Sequence, residues 1–270
     1  PTATSRVLLA ALKPNSEKPM ASFDDYEDEE LPRFHEEIEA HELVTALTGL
    51  TLLGDDLAMR CQAFNIAMVD KFIMELEMNY LRSHFDDEVG RQPGTAAFLS
   101  AQTEMWVFAA YELMRSWRER AKLSIKLAEN GGLGAKISHL LERPPWDHGS
   151  LMVARQLTRV RDEPEILPRL RDDLLRSHIP FHLLEWVRVQ LAKYQEPGNE
   201  KSFVRSHPMM DRETGSLNYE LTRGPMILAT LSRRQLADSL RGLNDMEVPS
   251  QESITAFESF RKTKPPIFDT

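Results

Sequence analysis

Two long stretches of helical periodicity limit what this chain can fold into. From Leu57 to about Ser83, the residues Leu57, Cys61, Phe64, Met68, Phe72, Leu76 and Tyr80 recur three or four apart, the repeat of one helix face. Ile66, Val69 and Ile73 add apolar positions away from that face. A central helix with neighbours on more than one side is therefore expected. The second stretch begins after Thr95 and stops at Glu129-Asn130-Gly131-Gly132. Leu99, Trp106, Ala110, Leu113, Trp117 and Ala121 form its stripe, and it is apolar nearly all round from Met105 to Met114. Two such helices joined by the loop Phe85–Gly94 imply an antiparallel pair at the heart of a bundle.

Shorter elements surround that pair. Ile38, Leu43, Leu47 and Leu50 mark a helix from about Phe34 to Leu53, closed by Gly54, and Asp55-Asp56 can cap the next one. Helices are expected over residues 133–142, 150–161, 164–177 and 181–194, with Pro180 interrupting. Ser216–Thr222 alternates and Met226–Thr230 is a second extended run, so a small β-hairpin is expected about Arg223-Gly224-Pro225. Ser232 caps a helix to about Leu243, and one more helix follows near Ser253–Arg261. The fold class is thus mainly α, a multi-helix bundle with two long central helices and a small hairpin near the C-terminus. Its expected organisation is an acidic arm over residues 1–33, a bundle over 34–195 and an appendage over 196–270.

Charge and cysteine content narrow the function classes. Between Asp24 and Glu42 there are ten acids against one base, Arg33, which accounts for the whole net charge of −9. The rest of the chain is neutral, so no global attraction to nucleic acid or anionic lipid is expected. Cys61 is the single cysteine, which excludes an intramolecular disulfide and points to a reducing, cytoplasmic setting. The apolar patch Val7–Leu12 is too short and poorly flanked for a secretory signal, and no run is long enough to span a membrane.

Few residues stand out as carriers of chemistry. His35-Glu36-Glu37-Ile38-Glu39-Ala40-His41 approaches the zinc-protease pattern, but Glu39 stands where the second histidine is needed. No histidine has a glutamate three residues before it, as di-metal bundles require. No phosphate loop, dinucleotide fingerprint or nucleophile elbow is present. Neither a metal nor a cofactor is therefore expected. Asp70 and Glu112 lie within apolar stretches of the long helices, and a charge in such a setting must be paired or neutralised. Arg115, Arg118, Lys122 and Lys126 recur at helical spacing and could receive phosphates or an acidic segment.

Arg143/His148, Arg171/His178 and Arg176/His182 have four to six residues between them. That spacing resembles the Arg-x4-6-His motif of HEPN-family helical nucleases, whose Arg and His act on RNA in a dimer cleft. The resemblance implies RNA binding or cleavage dependent on Arg176 and His182. A chain with 23 arginines and eight histidines yields such pairs by chance, so the spacing assigns no family. An interhelical ligand pocket lined by Met105, Trp106 and Phe108 is a third expectation. With no catalytic set in view, the leading expectation is a helical protein that works through protein contacts, with a homodimer built from the long helices compatible with it.

Overall fold

The computed structural model describes residues 33–85, 93–193, 195–196, 199–203, 209–223 and 226–263. The expected acidic arm up to residue 32, most of the expected loop Phe85–Gly94, Gly224 and Pro225 of the expected hairpin, and the residues from Lys264 onward lie outside them. The architecture is mainly α, with a small antiparallel sheet near the C-terminus.

A 3-10 turn (His35–Glu37) leads into α1 (Ala40–Gly49). This helix is shorter at both ends than its periodicity suggests. Glu39 is extended, and its N–H donates to Glu42 Oε1 at 2.9 Å, which starts the helix there. It ends before Leu50, and Leu52 takes a left-handed turn (φ 69°). The buried Gln156 amide donates to the Leu52 carbonyl at 2.6 Å, which holds that turn. The left-handed residue is thus Leu52, not the expected Gly54.

Helix α2 (Leu57–Phe85) starts where Asp56 Oδ1 accepts the Met59 N–H at 3.0 Å. Helix α3 (Pro93–Glu129) runs antiparallel to it. Arg120 meets Asp56 at 2.5 Å while Trp106, fourteen residues earlier, donates its Nε1–H to the Ile66 carbonyl at 3.1 Å. Ascending α2 is therefore descending α3. The α3 stripe from Leu99 to Ala121 is buried as its spacing requires. The helix closes with Gly131 left-handed (φ 74°) and the Gly132 N–H on Leu127 O.

Helices α4 (Leu133–Leu141), α5 (His148–Asp162), α6 (Ile166–Arg176) and α7 (His178–Lys193) follow. Pro180 does not interrupt α7. It occupies the first turn, where a proline's missing N–H has no intrahelical acceptor to lose, so the helix begins three residues before the expected Phe181.

Strands β1 (Gln195–Glu196) and β2 (Asn199–Phe203) form one antiparallel pair, and β3 (Met209–Met210), β4 (Leu217–Arg223) and β5 (Met226–Ser232) form a sheet in that order. β4 and β5 are the expected hairpin, paired from Asn218 opposite Ser232 to Arg223 opposite Met226, with a one-residue register shift between Leu221 and Thr222. Ser232 Oγ accepts the Gln235 N–H at 3.1 Å and begins α8 (Arg233–Arg241), which a 3-10 turn (Gly242–Asn244) extends. Helix α9 (Gln251–Arg261) is capped by Ser250. Leu217, Leu221, Leu231, Leu236 and Leu240 belong to the same apolar cluster as Trp106 and Trp117.

Candidate functional site

Three groups of residues merit a functional reading: a buried ion cluster, the outer face of α2 and a histidine–carboxylate cluster between α7 and α9.

The ion cluster answers the question raised by Asp70. Its side chain is almost fully buried and ion-paired to Arg233 and Arg241 of α8. The same Arg233, with no exposed surface, grips Glu77 through Nε and Nη2, both at 2.7 Å. Ser216 Oγ donates to Glu77 Oε1 at 2.8 Å and accepts the Arg234 N–H at 3.1 Å. Arg233 also lies over the Trp106 ring at 5.5 Å. Burial opposes its charge, but the Glu77 and Asp70 carboxylates outweigh that and raise its pKa above the ordinary value. Every carboxylate here is matched by a guanidinium, which is the arrangement of a structural clasp between α2 and α8.

Glu112 is partly exposed and pairs with Arg115 at 2.8 Å, with Arg188 at 4.0 Å. The basic stripe is split. Arg115 is held by Glu112 and Glu119. Arg118 turns inward, donates to Ser177 Oγ at 2.6 Å and to Leu174 O at 2.9 Å, and lies over Phe181. Burial lowers its pKa to about 10, which leaves it charged at neutral pH. Lys122 and Lys126 are exposed, and Arg115 is partly so. Arg176 pairs with Asp173 at 3.0 Å, and His182 bonds Glu185 instead. Met105, Trp106 and Phe108 do not converge. Met105 is 64% exposed, Trp106 is buried and Phe108 lies under Arg188.

The outer face of α2 is where the structure departs most from the periodicity. Leu57, Phe64, Met68 and Phe72 are between 47% and 57% exposed, and Cys61 beside them is exposed too. The buried face is Met59, Ala63, Ile66, Ala67, Asp70, Ile73, Met74 and Glu77. From Cys61 to Val69 the helix carries no charged residue, whereas a solvated helix face ordinarily does. Arg60 and Glu75 flank this stretch, both exposed, and neither makes an ion pair among the described residues.

The third group lies on α7 and α9. His178 Nε2 bonds Glu258 Oε1 at 3.0 Å, and His182 Nδ1 bonds Glu185 Oε2 at 2.8 Å. The two imidazoles are 4.5 Å apart between centroids. Arg261 reaches Glu258 at 3.1 Å and Glu185 at 3.2 Å. Burial, then the neighbouring His182, lowers the pKa of His178. The His182 hydrogen bond lowers that of Glu185. Two imidazoles beside two carboxylates are a donor set that metals accept. The sequence signal was the His-x3-His spacing at His178 and His182, which is hidden when Pro180 is taken to break the helix.

No known family model, curated protein or solved structure matches this chain. No helix among the described residues is long and apolar enough to cross a membrane.

Proposed function

We propose that this protein acts through protein contacts made by the outer face of α2, and that the occupant of that face is a second copy of the chain. The observation that carries this reading is the uncharged, half-exposed stripe Leu57, Cys61, Phe64, Met68 and Phe72. Its 4-3-4-4 spacing matches the narrow seam by which one helix packs on another. The face is also self-complementary. Arg60 lies eight residues before Met68 and Glu75 seven after it, on the same side of the helix. Two α2 helices crossing antiparallel about Met68 bring each Arg60 beside Glu75 of the second copy. Phe64 then lies opposite Phe72, as a two-fold interface requires.

Sedimentation equilibrium over a range of concentrations tests the proposal. The wild-type chain should associate to a dimer, and Phe64→Glu/Met68→Glu should sediment as a monomer with unchanged helix content. A wild-type chain that stays monomeric at the highest concentration would overturn the choice of occupant. Dimers unaffected by the double substitution would remove α2 as the interface.

A further inference from the structure

We propose that His178, His182 and Glu258 form a binding site for a divalent transition ion of the zinc type. One ring nitrogen of each histidine and one carboxylate oxygen of Glu258 lie within 4.8 Å of one another, and all three residues are partly buried. The edge of a tetrahedral zinc site with bonds of 2.0–2.1 Å is about 3.3 Å. The ligand atoms would need to close by at most about 1.5 Å, and the His178–Glu258 pair is already at 3.0 Å.

The scaffold suits this role. His178 and His182 are four apart in the first turns of α7, so both rings leave the same face. Pro180 between them holds that turn without requiring an N–H partner. Glu258 enters from α9, so the site would bridge two helices that come together only in the folded chain.

Glu185 adds an observation independent of the three ligands. Its carboxylate bonds His182 Nδ1 at 2.8 Å, which favours the proton on that nitrogen and would keep Nε2 as the ligating atom. A carboxylate behind a ligating histidine fixes the tautomer and orients the ring in many metal sites. At His178, the ion would take the place of the proton now shared between Nε2 and Glu258.

The donor set selects the ion. Two imidazoles and one carboxylate suit zinc and its neighbours, whereas magnesium and calcium prefer all-oxygen shells. Three protein ligands leave a fourth position for water or another donor. The charges around the site temper the affinity. Arg261 spans Glu258 and Glu185, Lys262 stands 3.8 Å from Glu258, and the buried Arg118 lies close enough to act on His178. The ion must displace part of the Arg261 pairing, so binding should be micromolar rather than that of a closed structural zinc site.

The test is titration of the full chain with Zn(II) against a chromophoric chelator, and with Co(II) followed by its visible d–d bands. One equivalent should bind, with the band intensity of four- or five-coordinate Co(II). His182→Gln and Glu258→Gln, on different helices, should each weaken binding at least tenfold while far-UV circular dichroism is unchanged. His139→Gln, at an exposed histidine elsewhere, should have no effect. No binding, binding undiminished in the two site variants, or an equal loss in His139→Gln would overturn the proposal and leave a histidine–carboxylate–arginine cluster only.

Discussion

At Gly215 the absence of one carbon atom decides a contact. The residue is left-handed (φ 72°), and a Cβ there would run into the Glu77 carbonyl oxygen. Its position lets Ser216 reach the buried Glu77 carboxylate. Gly215→Ala should therefore destabilise the chain by about 1–3 kcal/mol, read as a lower urea midpoint. Glu42 sets a different expectation. The Arg33 guanidinium grips its carboxylate, burial works against that, and the Glu39 N–H adds to it, so its pKa falls from 4.5 to about 2. A depressed carboxylate stabilises the fold fully above its unfolded pKa and loses that contribution as pH falls through the folded one. The loss should thus fall between about pH 4.5 and 2, and Glu42→Gln should flatten the urea midpoint across that window. The pair is largely exposed, so the effect is small. Among single residues, the histidine pair was open to a sequence reading through its spacing alone. Glu258 was not, because nothing in the chain announces that α9 returns to α7 across 80 residues.

Elements were legible in their existence and order, since long periodic stretches, capping serines and the alternating hairpin each act locally. The orientation of α2 was not. Leu57, Cys61, Phe64, Met68 and Phe72 keep one helical rhythm, while Met59, Ala63, Ile66, Ile73 and Met74 keep another. On the side of the second set lie Asp70 and Glu77, whose partner Arg233 is 163 residues beyond Asp70. Buried carboxylates on α2 thus mark the inner face only once their partner is known. Arg233→Met should cost about 3–5 kcal/mol, because it leaves Glu77 in the core without a guanidinium and Asp70 with Arg241 alone. Glu77→Leu/Arg233→Met should lose less than the sum of its single variants, since each partner is costly mainly when left alone. Denaturation of the four proteins closes that cycle. On the outer face, Arg60→Glu should weaken self-association, and adding Glu75→Arg should restore it. A charge swap that fails to rescue would count against the antiparallel arrangement.

Across the whole molecule, the hairpin and α8 share one apolar core with the long helices. Removing residues after 193 would uncover Trp106, which lies under Arg233, and the α2 carboxylates together. The shortened chain should lack a cooperative thermal transition, and its tryptophans should be reached by acrylamide as in an unfolded chain. Tertiary ties elsewhere are equally non-local. Asp173 accepts from the Thr51 N–H at 2.9 Å and hydroxyl at 2.7 Å, and Trp117 donates to Thr51 O. The clasp also imposes a schedule on synthesis. Asp70 leaves the ribosome 163 residues ahead of Arg233, a delay of roughly 8–33 s at ordinary elongation rates of about 5–20 residues per second. During that interval Asp70 and Glu77 lack Arg233, so the inner face of α2 keeps its two carboxylates in water and the central helix stays unsealed until α8 arrives.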